Sequence, residues 1–351
     1  AIDPASGETL WTFRLNEGEA RTASAPRRNS GRGVAWWREG GDARILMITP
    51  GYQMVALDAS TGQLVQSFGR SGIVDLRQGL DVDVEHTRIG SSSPPLVVGN
   101  VLVVGSALDP GTRPKSRRQT AAHVRGFDAR TGRELWRFHT IPRPGEFGHE
   151  TWQEESWQYT GNAAVWTTMS ADLERGLVYL PVEAATSDYF GGHRPGDNLF
   201  SSSLVCLDAK TGQRVWHYQI VRHDIWDYDN PTAPILMDLT LDGRQVPAVA
   251  QLTKQAFTYV FNRVTGQPIW PIEDRPVAAP DVPGEVAAAT QPFPTLPEPF
   301  DLQGISEDDL IDFSPELRAA AIDAVEKIRL GPLFTPPSLA NDPDGSQGTL
   351  V

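Results

Sequence analysis

Hydrophobic residues in this chain come in short runs, separated by clusters of Gly, Asp, Thr and Pro. The runs at 73–78 (IVDLRQ), 95–108 (PLVVGNVLVVGSAL), 176–185 (GLVYLPVEAA) and 248–261 (AVAQLTKQAFTYVF) read as β-strands. Gly99 and Asn100 mark a hairpin within the second. Several runs are unbroken rather than alternating, which suits strands that bury both faces. The one strong helical pattern is late, at 306–330: it opens with a Ser306 cap and an acidic first turn and stops before Gly331 and Pro332. The Pro-rich stretch 276–299 before it predicts a long connecting loop.

One unit recurs among the strands. The copies are AIDPASGETLW (1–11), ALDASTGQLVQ (56–66), GFDARTGRELW (126–136), CLDAKTGQRVW (206–216) and VFNRVTGQPIW (260–270). In each, Asp or Asn bonds the backbone two residues on, and a Gly placed for positive φ closes the turn before an outgoing strand that usually carries Trp. The copies lie about 50 to 80 residues apart, the length of a four-stranded propeller blade with long loops.

Composition narrows the function. At 351 residues the chain exceeds one ordinary core, and its net charge of −13 leaves no basic surface for nucleic acid beyond the Pro-broken run 113–118. The single cysteine, Cys206, excludes an internal disulfide, and no haem-attachment CxxCH is present. No segment approaches the apolar length of a membrane span, and no signal peptide is visible. The first residues already read as the middle of a repeat, so the chain is expected to be a portion of a longer one.

Candidate chemistry concentrates in 205–234. A repeat unit there is followed by HDIWDYD (223–229), which sets His223, Asp224, Asp227 and Asp229 around Trp226 and Tyr228. An acidic loop is most often solvated turn chemistry. One wedged against aromatics and held by a rigid β unit is also where a base with a raised pKa belongs.

The Asp-x-x-Thr-Gly-x-x-x-Trp repeat, with HDIWDYD, GLVYLPVEAATSDYFGG (176–192), QLTK (251–254) and GPLFTPPS with GTL, resembles the pyrroloquinoline quinone (PQQ)-dependent dehydrogenases, nearest the glucose/quinate branch and its soluble relatives. The resemblance runs over the whole of 1–351. It implies an all-β, eight-bladed propeller of tryptophan-docking repeats, only part of it present, with a helical insertion near 306–330. A further cofactor-contacting GGxxW segment is expected beyond Val351.

Carried over residue by residue, the resemblance makes Asp227 the general base that takes the substrate hydroxyl proton as hydride moves to the quinone. Lys254 is implied to contact the quinone oxygens, Trp166 to form the floor under the ring, Arg32 to bind a PQQ carboxylate, and Ser91 and Ser106 to bond the cofactor. A divalent ion, Ca²⁺ or else Mg²⁺, is implied between PQQ and Asp109 and Thr186, with Glu183 or Asp229 as further oxygen donors. Each has a plainer reading: a turn Asp, a strand-end Lys, a core Trp, turn serines. The chain departs from the alcohol-oxidising branch in having Pro26 and Arg27 where that branch has adjacent cysteines, and Ala184-Ala185-Thr186 where it has an Asn turn. It departs from the glucose enzymes in having Arg28 for a His. The expectation is a periplasmic dehydrogenase of a sugar or polyol, passing electrons to ubiquinone or a cytochrome c. The alternative is a non-catalytic scaffold propeller with the same repeat, of the outer-membrane assembly type.

Overall fold

The computed structural model describes residues 1–26, 33–80, 88–112, 114–340 and 346–351. Three four-stranded antiparallel sheets and one three-stranded sheet form in succession. The first comprises Ala35–Glu39, Asp42–Ile48, Gln53–Asp58 and Ile73–Asp75, and the second Leu96–Val98, Val101–Val104, His123–Asp128 and Glu134–His139. The third comprises Ser170–Asp172, Leu177–Pro181, Ser203–Asp208 and Arg214–Gln219, and the fourth Ile235–Leu241, Arg244–Leu252 and Thr258–Asn262. Each is a meander, and its first strand lies beside the first strand of the next sheet. Sheets arranged this way are propeller blades whose innermost strands succeed one another around an axis.

The cores lie between blades, as unbroken apolar strands require. Leu46, Met54, Leu102 and Phe127 fill the space between the first two blades. Val103, Val178, Val205 and Trp136 fill the next, and Tyr179, Cys206, Val249 and Phe261 the one after.

The repeats build these contacts. Asp58, Asp128 and Asp208 accept backbone N–H bonds from the Thr three residues on, at 2.8–2.9 Å, and Asn262 does the same for Thr265 at 3.1 Å. The glycine that follows is left-handed in every copy. The outgoing Trp then docks on the next copy's glycine. Trp136 lies on Gly212 and donates Nε1–H to Ala209 O at 2.9 Å, and Trp216 repeats this with Gly266 and Arg263 O at 3.0 Å. Trp11 does so with Gly62 and Ala59 O. The second copy has Gln66 in place of Trp, and Phe68 and Val74 cover Gly132 instead.

Four expectations need correction. The outgoing strand is full only in the third and fourth copies; in the others it shrinks to a single bridge, and in the fifth Pro268 has no N–H to continue a ladder. The run 248–261 is two strands, broken by a turn in which Thr253 N–H bonds Phe257 O and Ala256 is left-handed. The stretch 276–299 is not all loop, because Thr290–Pro294 pairs back onto Ile272–Pro276. The helical region divides: a 3₁₀ turn at Glu307–Asp309 in a Ser306/Asp309 capping box, then an α-helix Pro315–Val325 capped by Ser314. Pro315 cannot continue a preceding helix but is preorganised to begin one.

Candidate active site

Several inner segments meet at one end of the blades. Ile89–Gly90 pairs antiparallel with Ala107–Leu108, and that register places Ser91 opposite Ser106. Ser91 Oγ donates to Ser93 O at 2.9 Å, and Ser106 Oγ reaches His123 O at 3.5 Å. Ser92 Oγ donates to Trp166 O at 2.7 Å, which joins the serines to half-buried Trp166, and Thr167 Oγ1 ties that segment to Pro231 O at 3.0 Å. A Cβ on Gly105 would lie 2.2 Å from Val165 O, so only glycine allows this approach.

The 161–165 and 182–186 segments are laced together. Glu183 N–H donates to Ala164 O, Ala164 N–H donates to Glu183 Oε1 at 3.1 Å, and Thr186 N–H donates to Gly161 O. Asp229 accepts Ala184 N–H at 2.8 Å, and Asn230 Nδ2 donates to Val182 O at 3.0 Å. The HDIWDYD loop is thus bonded to the segment bearing Glu183 and Thr186.

That loop is built from below by aromatics. Trp226 and Tyr228 stack at 6.0 Å with both rings edge-on to Phe334. Trp226 Nε1–H donates to Thr335 O and the Tyr228 hydroxyl to Leu333 O. The GPLFTPPS segment therefore seats the loop.

Lys254 closes the site. Its Nζ is 3.0 Å from Asp227 Oδ2 and 3.2 Å from Asp229 Oδ2, and it donates to Asp227 O at 2.7 Å. Burial, then the Asp229 charge, pushes the Asp227 carboxyl up to about 7 against the pull of Lys254, with Asp188 adding to the rise. Burial works to lower the Lys254 ammonium, but Asp229 and Asp227 outweigh it and hold it above its ordinary range. Asp188 is buried, accepts Thr112 Oγ1 at 2.9 Å, and is raised to about 6, chiefly by burial. Asp227 thus sits between a like charge that favours its protonated form and an ammonium that favours its ionised form.

The Thr186 side chain is 2 % exposed, and its Oγ1 has no hydrogen-bond partner among the described residues. A buried hydroxyl oxygen without a partner is expensive unless something else takes it up, and a hard cation does so well. Asp109 lies at the rim, its half-exposed carboxylate 3.3 Å from Arg88 Nη1. Its turn nonetheless comes close to Thr186: Asp188 N–H donates to Gly111 O, and a Cβ added to Gly111 would lie 2.1 Å from Asp188 Oδ1 and 3.5 Å from Thr186 Cα. Among the described residues no group of three or more His, Cys, Asp or Glu is arranged as a ready-made metal cage. Arg32, like Arg27 and Arg28, lies outside the described residues. Asp188 and Arg194 were not among the sequence candidates; both fall in SDYFGGHR, where only the proximity of Asp188 to Thr186 pointed to the site.

Blades locked by tryptophan docking, with a lysine-paired carboxylate on their inner segments, define a quinoprotein-type propeller domain. The chain belongs to the family described as PQQ: Glucose/ethanol/alcohol dehydrogenase, beta-propeller domain, which matches residues 1–351. It is 35% identical over 348 residues to the glycerol dehydrogenase large subunit of Gluconobacter oxydans (strain 621H), covering 96% of this chain and 46% of that protein. It is 29% identical over 366 residues to the quinoprotein glucose dehydrogenase of Escherichia coli (strain K12), covering 100% of this chain and 43% of that protein. Among solved structures it resembles the quinohemoprotein alcohol dehydrogenase ADHIIG of Pseudomonas putida HK5, with a TM-score of 0.63 and 29% identity over 79% of this chain and 40% of that one. The chain thus spans less than half the length of these relatives.

Proposed function

We propose that the protein carrying this chain is a PQQ-dependent dehydrogenase that oxidises a hydroxyl of a sugar or polyol to the carbonyl or lactone. The observation that carries this reading is Asp227: a carboxylate raised to about 7, 3.0 Å from a lysine ammonium that also bonds Asp229. A base with that pKa is poised to take a hydroxyl proton near neutrality. PQQ, when bound, supplies the two-electron acceptor for the hydride.

Asp227 Oδ2 receives the substrate proton. Lys254 Nζ holds Asp227 in place through both its carboxylate and its main-chain oxygen, and its charge offsets negative charge that develops beside it. Trp166 offers a flat apolar surface, with Ser91 and Ser106 as hydroxyl contacts and Arg32 as the partner of a carboxylate. The Thr186 hydroxyl, without a partner among the described residues, fits a Ca²⁺ or Mg²⁺ ligand, with Glu183 or Asp229 as further oxygens and Asp109 as one only if its carboxylate leaves Arg88. Such an ion would anchor the cofactor and act as a Lewis acid.

The names of the glycerol dehydrogenase relatives favour a polyol as the hydroxyl donor. Electrons then pass to ubiquinone or a cytochrome c, and the periplasm is the compartment this reading entails. No helix among the described residues is long and apolar enough to cross a membrane. A non-catalytic scaffold has no use for a half-buried ammonium shared by two carboxylates.

The test is reconstitution of the full-length protein made without cofactor. Titration with PQQ, with and without Ca²⁺ or Mg²⁺, is followed by dye reduction with glycerol, other polyols, aldoses and quinate. Turnover that needs both PQQ and metal supports the reading. Absence of PQQ binding at every metal concentration defeats it.

A further inference from the structure

We propose that Arg194 is a positioning residue that locks the Asp227 loop to the Thr186 loop, so that one buried cation sets both functional groups. The inference rests on reading Asp227 as the base.

The Arg194 side chain has no exposed surface. Its Nε–H donates to Thr186 O at 3.2 Å, and one Nη2–H donates to Ser187 O at 3.1 Å. Nη2 also donates to Asp224 O, and Nη1 donates to Asn198 Oδ1 at 2.7 Å. Asn198 Nδ2 returns a bond to Arg194 O at 2.8 Å, fixing the two side chains against each other. A single planar guanidinium thus spans three segments, a task its rigid fork of donors suits and a lysine ammonium does not.

The Asp224 side chain completes the device. Asp224, also fully buried, accepts Ser202 Oγ at 2.6 Å, Trp226 N–H at 2.9 Å and Tyr228 N–H at 3.1 Å. Those two amides flank Asp227, whose backbone is left-handed at φ 60°. A non-glycine residue holds that conformation only when its surroundings impose it. Arg194 grips the carbonyl of Asp224 and the Asp224 carboxylate grips both neighbours of Asp227. The same guanidinium fixes the carbonyls of Thr186 and Ser187, the backbone from which the Thr186 hydroxyl projects. Charged groups facing the pair are Asp188 and Glu285, which oppose the lowering of Arg194 by burial, and Asp229, which adds to the rise that burial imposes on Asp224.

The test is Arg194→Lys in the full-length protein, read by amide hydrogen exchange and by turnover. Exchange is expected to rise about tenfold or more, through local opening, in 186–188 and 224–229 together, while the strands Leu177–Pro181 and Ser203–Asp208 are unchanged. The kcat per bound PQQ is expected to fall about tenfold or more with KM nearly constant, since a small misplacement of a base costs that much. A rise in one loop alone, a rise in neither, or an unchanged kcat per bound PQQ overturns the proposal. If Arg194→Lys does not fold, Ser202→Ala weakens only the Asp224 anchor. It is then expected to raise exchange in 224–229, and unchanged exchange there overturns the proposal. Exchange is read without cofactor, so a wild-type protein that binds no PQQ defeats the dehydrogenase reading while the loop coupling is still decided.

Discussion

Lys254 Nζ touches Asp227 twice, at 3.0 Å from the carboxylate Oδ2 and at 2.7 Å from the main-chain oxygen of the same residue. The second contact fixes where the side chain starts and the first fixes where it ends. Because the ammonium favours the ionised carboxylate, removing it raises the Asp227 pKa further. In Lys254→Met the acidic limb of kcat/KM is expected to move to higher pH than the wild-type limb near 7. A pH–rate profile checks this, and an unmoved limb means that Lys254 does not set the ionisation of the base.

Asp229 acts in the opposite sense. Its charge raises Asp227, second only to burial. Asp229→Asn removes a like charge, so the limb is expected to move to lower pH. Opposite shifts in the two variants, measured under one set of conditions, place the titrating group beside both Lys254 and Asp229, as Asp227 and Asp188 are, and a limb that persists in Asp188→Asn assigns it to Asp227.

The raised carboxyl has a consequence for stability. The unfolded group loses its proton near 3.8 while the folded one keeps it to about 7. The unfolded state therefore binds fewer protons across this window, and stability falls as pH rises through it. Asp188, raised to about 6, contributes in the same direction. Asp227→Asn, which cannot ionise, is expected to flatten part of that fall between pH 4 and 7, as measured by urea unfolding at successive pH values.

Trp136 on Gly212 joins the second blade to the third. Trp136→Ala is expected to cost about 3–5 kcal/mol by emptying a core site. Gly212→Ala places a Cβ 2.5 Å from the indole at a backbone φ of +71°, and is expected to cost more than about 1 kcal/mol. Denaturant unfolding of the two variants and their double mutant measures both, and the combined effect should fall short of the sum because the residues share one contact.

Thr186→Val keeps the shape of a buried side chain whose hydroxyl lacks a partner among the described residues. The expected result is unchanged or slightly higher stability of the metal-free protein, together with weaker Ca²⁺-dependent retention of PQQ. Equal retention in both proteins removes Thr186 from the ligand set.

The repeats were legible because their turn chemistry is local: an Asp bonding the next residues and a Gly at positive φ read the same in every copy. The loop around Asp227 was legible for a related reason, since its aromatics and carboxylates lie within seven residues, 223–229. Features set by distant segments were not legible. Arg194 reaches Asp224 across 30 positions, and Trp226 finds its acceptor 109 positions away, distances no pattern encodes. The break at Ser314 and Pro315 was local and readable, but a continuous apolar and acidic pattern around it masked a second cap. The rim position of Asp109 depends on Arg88, a long-range partner that the GSALD stretch does not announce.

The proposed chemistry depends on Asp227 as the proton acceptor. The most direct measurement compares full-length wild type and Asp227→Asn, each loaded with PQQ and metal, in a single turnover of a polyol substrate followed by the cofactor's absorbance. Equal PQQ binding in the two proteins is expected, with reduction of the cofactor slowed by at least about a hundredfold in the variant, the lower end of what a positioned base contributes. Reduction at the wild-type rate with PQQ fully bound would contradict it.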